Sequence, residues 1–276
     1  MTTVRAALET ATERLDAAGC GTPRVDAELL LAQVLGTTRS GLQVEAGRPL
    51  SEPELDAFER VTVRREAREP VAYILGKWGF RRLTLAVDAR SLVPRPETEI
   101  VVERCLALLS GRSGPRLLDV GTGSGAIALA LKDEVPGAQV TGLDSSSDAL
   151  ALACENAART GLEVELLEWD LREGLPDGPW DLVVSNPPYV RPDELGSLEP
   201  EVRDWEPRVA LVGEGATESI ARAARGVLGA GCALVLETAA DDADRVADLL
   251  RGLGYADVRV TRDLAGRNRV VEGVLG

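Results

Sequence analysis

Leu117-Leu118-Asp119-Val120-Gly121-Thr122-Gly123-Ser124-Gly125 is the stretch that decides the fold. Arg116 to Val120 is a short apolar run of the kind a buried parallel strand shows, and Ala126 to Lys132 continues as an apolar helix. Between them, glycines permit a tight turn and let a backbone approach a ligand closely, while the helix start presents free N–H groups. Gly121-x-Gly123-x-x-Ala126 also satisfies the looser dinucleotide fingerprint, so NAD fits this loop. The glycine loop alone does not choose its ligand.

Downstream, strand and helix alternate, which predicts a parallel sheet covered on both faces. The predicted strands are 138–143, 164–169, the run ending at Val184 and 233–237, with two more near Val258 and Val270. The predicted helices are 148–159, one carrying Ile220, Ala224 and Leu228, and one carrying Val246, Leu249, Leu250 and Leu253. A Pro- and Glu-rich loop is expected over 190–213. Asp144 and Asp170 follow the second and third strands, at the carboxyl ends where doubly wound sheets bind ligands. A carboxylate at Asp144 can accept hydrogen bonds from both hydroxyls of a ribose.

The fourth strand ends in Asn186-Pro187-Pro188-Tyr189. Neither proline can donate to a ladder, so pairing stops there. What projects beyond is a carboxamide, a backbone carbonyl and an aromatic ring. Asn186 Oδ1 and the Pro187 carbonyl can each accept one hydrogen of an NH2 group while Tyr189 packs on its plane, so Asn186, Pro187, Pro188 and Tyr189 form a candidate site for a planar nitrogen. This signature resembles that of methyltransferases acting on adenine N6 or glutamine N5. Asp119 before the glycines, Asp144, Asp170 and this segment together favour S-adenosylmethionine over NAD.

Upstream, Val4, Leu8, Ala11, Leu15 and Ala18 mark an amphipathic helix ending near Gly19. A second helix starts at Pro23, runs through Asp26–Leu35 and meets Gly36 as its cap. Ser51 and Glu54 make a capping box for a third that reaches about Arg68 before Pro70. Leu83, Leu85 and Val87 then alternate with Thr84 and Ala86 as strands do. The expected organisation is a small helical bundle over 1–75, a β-hairpin linker over 76–93 and an α/β domain over 94–276.

The formal net charge of −14 and a pI near 4.6 argue against tight binding to a phosphate backbone and for a basic partner surface. The chain has no histidine, which removes Ser-His-Asp and Cys-His catalysis and histidine metal sites. Cys20, Cys105, Cys154 and Cys232 lie far apart with no CxxC pair, so neither a zinc site nor a disulfide framework is signalled. With no signal-peptide core and no membrane-length apolar run, the expected location is the cytoplasm.

With those residues in hand, nearly the whole chain resembles the protein-(glutamine-N5) methyltransferases that modify peptide chain release factors, the PrmC or HemK family. The likeness rests on Asp26–Ala32, Pro70–Gly76, Pro94-Arg95-Pro96-Glu97-Thr98-Glu99, the glycine loop, Asn186–Tyr189 and Asp263–Val271. It implies a class I methyltransferase fold, a Rossmann-like and mostly parallel seven-stranded sheet. It implies methyl transfer from S-adenosylmethionine to the glutamine of a release factor's Gly-Gly-Gln loop, with the helical domain recognising that partner. By the same likeness Asp119, Gly121, Thr122, Gly123, Ser124, Gly125, Asp144, Asp170, Leu171 and Asn186 hold the cofactor, Asp170 meeting the adenine amino group and Leu171 packing on its ring. The chain departs from the family at Leu236-Glu237-Thr238-Ala239-Ala240-Asp241, where relatives read Leu-Glu-Ile-Gly, and at Val212-Gly213-Glu214-Gly215-Ala216, where they read Gly-Gly-x-Asp-Gly. Three alternatives stand beside this reading: a paralogue acting on another amide or amine, an adenine-N6 methyltransferase, and a non-catalytic binding protein.

Overall fold

In the computed structural model, which describes residues 1–276, period-four apolar spacing near the N-terminus becomes helices as expected. Thr3 caps α1 (Val4–Ala17) by accepting from the Ala6 N–H at 3.3 Å. Pro23 opens α2 (Pro23–Leu35), and Gly36 closes it at φ +63°. The short α3 (Arg39–Val44) follows, then α4 (Glu52–Glu66), whose Ser51–Glu54 capping box forms. Pro70 leads into α5 (Val71–Leu75). The sequence reading resolved neither α3 nor α5, because five or six residues carry too few turns to show a period. Val4, Leu8, Leu15, Leu30, Leu31, Leu42 and Phe58 form the core of this unit.

That unit comprises Met1–Gly76 together with Glu199–Trp205. The second comprises Lys77–Leu198 and Glu206–Gly276. The hairpin expected as a separate linker, β1 (Lys77–Phe80) and β2 (Leu83–Ala86), belongs to the second unit: Phe80 and Leu85 are buried in its core. α6 (Pro96–Leu109) then precedes β3 (Arg116–Val120), α7 (Ala126–Glu134), β4 (Gln139–Asp144), α8 (Ser147–Thr160), β5 (Glu165–Glu168) and β6 (Trp180–Ser185). The stretch 190–213 is not structureless: it holds α9 (Pro200–Arg203), inside the segment that joins the first unit, and α10 (Arg208–Leu211). α11 (Ala216–Val227), β7 (Leu228–Glu237), α12 (Ala243–Gly252), β8 (Tyr255–Arg262) and β9 (Asn268–Leu275) complete the chain.

The strands order as β5-β4-β3-β6-β7-β9-β8 in one seven-stranded sheet, parallel from β5 to β7, with β9 and β8 antiparallel. Leu228, expected at the end of a helix, instead pairs with Trp180 and starts β7. Successive side chains of a strand point to opposite faces, and here both faces are apolar. Leu117, Leu182, Val184 and Val235 meet Val101, Val102 and Cys105 of α6 and Ile127 and Leu131 of α7. Leu118, Val183, Leu234 and Leu236 meet Ile220 and Ala224 of α11 and Val246 and Leu250 of α12. The chain winds outward from β3 to β5 and then returns to place β6 on β3's other side, so the carboxyl ends of β3 and β6 flank the point where strand order reverses.

Candidate active site

The glycine loop is built around a buried acid. Asp119, at the second-to-last position of β3, is fully buried, and its Oδ2 accepts from Thr122 Oγ1 at 2.7 Å and the Ala128 N–H at 3.2 Å. One carboxylate oxygen therefore ties the loop to the first turn of α7, while Oδ1 has no partner. Burial, opposed by those two hydrogen bonds, pushes its pKa up to about 7. Gly121, Gly123 and Gly125 all have positive φ, and a Cβ added to Gly121 would enter open space. The N–H groups of this loop are not free as expected: those of Gly121 and Thr122 both donate to the Leu143 carbonyl at 2.8 Å and that of Gly125 donates to the Thr122 carbonyl at 2.9 Å, so what the loop offers a ligand is the space over Gly121.

Two further residues fix the loop. Asp144, at the end of β4, accepts from the Gly123 N–H and the Ser146 N–H, each at 2.9 Å, and burial raises its pKa. Each carboxylate oxygen has a second lone pair for a ribose hydroxyl. Buried Asn156 on α8 was not singled out in the sequence; its Nδ2 donates to the Ser124 carbonyl at 2.9 Å and to Ala86 at 3.1 Å, while its Oδ1 accepts from the Ala86 N–H. The hairpin is thereby fastened to the glycine loop.

Asp170 is engaged by its own turn. Its carboxylate accepts from the Arg172 N–H at 2.9 Å and pairs with the Arg172 guanidinium, which holds its pKa down at about 2. Both oxygens thus serve a local turn, Leu171–Glu173, and an adenine amino group would have to compete with that guanidinium. Leu171 is half-buried against the core containing Leu118 and Val183.

Beyond β6, Asn186 donates from Nδ2 to Thr98 Oγ1 at 3.3 Å, and Tyr189 donates its hydroxyl to Glu237 Oε1 at 3.4 Å. Thr98 in turn donates to Glu237 Oε2 at 2.7 Å. Glu237 is 1% exposed at the end of β7, and burial raises its pKa, as it raises that of Tyr189 to about 12. The register Ser185↔Leu236 explains the meeting, since Asn186 and Glu237 each lie one residue beyond it. The bond to Thr98 engages the Asn186 amide nitrogen and not its Oδ1. Pro188 packs on Gly213: a Cβ there would lie 2.4 Å from Pro188 Cγ, so no larger residue fits without displacing it. Val190 pairs alongside Val212, its N–H donating to the Leu211 carbonyl at 3.0 Å.

Thr98 and Glu237 carried no assigned role in the sequence reading. The signal for Glu237 was available: it is one more acid at the carboxyl end of a parallel strand, like Asp119 and Asp144. Arg95, the N-cap of α6 three residues before Thr98, pairs with Glu206 Oε1, and Glu206 is 5% exposed with its pKa raised by burial.

Comparison with known proteins follows the same division of the chain. Residues 6–76 match the family model described as the PrmC N-terminal domain, and residues 98–197 match the methyltransferase small domain. The release factor glutamine methyltransferase of Caulobacter vibrioides is 40% identical over 270 residues, covering 96% of this chain and 93% of that protein. The protein of the same name in Deinococcus radiodurans is 44% identical over 276 residues, covering 97% of each. Among solved structures, a methyltransferase from Pyrococcus furiosus gives a TM-score of 0.53 at 18% identity, over 70% of this chain and 88% of that one, a likeness of fold.

Proposed function

The chain belongs to the release factor glutamine methyltransferase family, and from that premise we propose that it methylates the side-chain amide nitrogen of the Gly-Gly-Gln glutamine in peptide chain release factors. S-adenosylmethionine supplies the methyl group, carried on a sulfonium. The residues fit this cofactor: Gly121 leaves open space over the loop, and Asp144 keeps acceptor capacity beside Gly123. Asp119, Thr122 and Ser124 shape that loop. Asp170 and Leu171 would border the adenine end in this reading.

A glutamine amide nitrogen is a poor nucleophile because its lone pair is delocalised into the carbonyl. Asn186 Oδ1 and the Pro187 carbonyl hold its two hydrogens and aim the nitrogen, and their hydrogen bonds strengthen as positive charge develops there. Tyr189 packs on the amide plane. No strong base is needed, since the proton lost from nitrogen passes to water after transfer, in keeping with a chain that lacks histidine. The acidic chain, at −14, suits a ribosome-binding partner with basic surface, and the setting is the cytoplasm, where that partner works.

The observation that carries the reading is the Asn186 carboxamide, anchored through Nδ2 and not through its Oδ1, beside the glycine loop at the reversal of strand order. Mass spectrometry of a release factor incubated with the protein and S-adenosylmethionine tests it. One methyl on the Gly-Gly-Gln glutamine is expected, with turnover reduced about 100- to 1000-fold by Asn186→Ala, the size of effect seen when one preorganised polar group is removed from a reacting centre. An unimpaired Asn186→Ala protein would sink the assignment of the site.

A further inference from the structure

We propose that Thr98, itself held by Glu237, is the positioning residue that fixes which way round the Asn186 carboxamide lies. The inference rests on the methyl-transfer reading of this site and deepens it. A hydroxyl has one hydrogen to donate and lone pairs to accept with. Thr98 commits its hydrogen to Glu237 Oε2 at 2.7 Å, so toward Asn186 it presents only an acceptor. The Asn186 atom facing it at 3.3 Å is therefore Nδ2, and Oδ1 is turned to the reacting side. With the carboxamide flipped, two acceptors would face each other at Thr98, and an NH2 group would confront the substrate's NH2.

Glu237 makes this bias one-directional. A carboxylate can only accept, and it takes a hydrogen from Thr98 on one oxygen and from Tyr189 on the other. One buried group thus sets both the amide and the ring that bracket the substrate nitrogen. Thr98 sits where it does because Pro96 starts α6, the Thr98 N–H donates to the Arg95 carbonyl at 3.1 Å, and α6 lies against the face of β6 and β7. Neither Thr98 nor Glu237 touches the nitrogen itself. Their effect passes through Asn186 and Tyr189.

The test compares Thr98→Val, which keeps the shape and removes the hydroxyl, with Thr98→Ser, which keeps the hydroxyl and removes a methyl. Steady-state methylation of a release factor should show kcat lowered about tenfold in Thr98→Val, the worth of one hydrogen bond, with KM for the release factor unchanged and Thr98→Ser near wild type. A purely structural role predicts the opposite order, since valine fills the buried site better than serine. In parallel, the protein labelled with 15N-asparagine contains only Asn156, Asn186 and Asn268 as reporters. The Asn186 side-chain NH2 should exchange with water about tenfold faster in Thr98→Val and not in Thr98→Ser. Equal turnover in wild type and Thr98→Val, or an Asn186 NH2 indifferent to the hydroxyl, overturns the inference. A wild-type protein that leaves the glutamine unmodified refutes the methyl-transfer reading instead, and the NMR comparison still decides the anchor.

Discussion

Arg65 is the side chain whose removal should cost the helical unit most. It is 4% exposed and makes three kinds of bond: Nε to Asp26 Oδ2 at 2.7 Å, Nη2 to Glu201 Oε1 at 2.6 Å, and Nη1 to the Glu69 carbonyl at 3.2 Å. Arg65→Met keeps most of the stem and removes the charge. Glu201 would still have Arg68, whose Nε donates to it at 2.8 Å. Asp26, its side chain 3% exposed, would keep only the Thr22 hydroxyl at 2.9 Å. The stranded charge is therefore Asp26. Breaking one partner out of a buried pair costs roughly 3–5 kcal/mol, and the spared Glu201 places the expected loss at the lower end, about 3 kcal/mol. With a urea dependence of about 2 kcal/mol per molar, the midpoint should fall by roughly 1.5 M. Replacing both partners, Arg65→Met with Asp26→Leu, removes the uncompensated charge and should recover most of that loss. Urea unfolding followed by pulsed hydrogen exchange in peptides from α1 and α2 reads this unit alone. A single variant within about 0.5 M of wild type, a shift too small for a stranded buried charge, would refute the reasoning, as would a double variant no better than the single.

Gly213→Ala should act on chemistry from a distance. Its Cβ would lie 2.4 Å from Pro188 Cγ and 3.0 Å from the Pro188 carbonyl oxygen, forcing the Asn-Pro-Pro-Tyr segment to move. Turnover should fall by up to about a hundredfold while S-adenosylmethionine affinity, measured by calorimetry, stays near wild type; parallel losses in both would contradict this. Asp119 supplies a pH prediction. Its pKa of about 7 in the fold lies above the roughly 3.9 of an unfolded chain, so its contribution favours folding at low pH and is lost as pH rises through 7. Measured without cofactor, the stability of wild type relative to Asp119→Asn should drop by about 2 to 3 kcal/mol between pH 5 and pH 8. A difference independent of pH would mean that Asp119 titrates normally.

Most of the sheet was legible because its central strands β3 and β6 are short apolar runs closed by their own punctuation. Leu117–Gly125 contains strand, turn and helix start in nine consecutive residues, and the structure keeps them all. Leu228 misled because it continues the spacing of Ile220 and Ala224, and only pairing with Trp180 turns it into strand. Asp170 was legible as an acid after a strand but not as the cap of its own turn, since Arg172 two residues on is an equally ordinary surface residue in sequence.

Local chemistry thus determined, from the sequence alone, the alternation of strands and helices, the glycine loop with Asp119 and Asp144 around it, and the abrupt strand end that presents Asn186 and the Pro187 carbonyl. The tertiary structure alone decided what holds that carboxamide. Thr98 lies 88 residues from Asn186 and 139 from Glu237, and they meet because β6 lies between β3 and β7 with Ser185 opposite Leu236. It also decided that Glu201 joins the helical unit, where a buried Arg65 meets it across 136 positions of chain. Periodicity and turn chemistry act over a few residues, whereas partners of buried polar groups are chosen by strand order and register, which no single stretch of sequence contains.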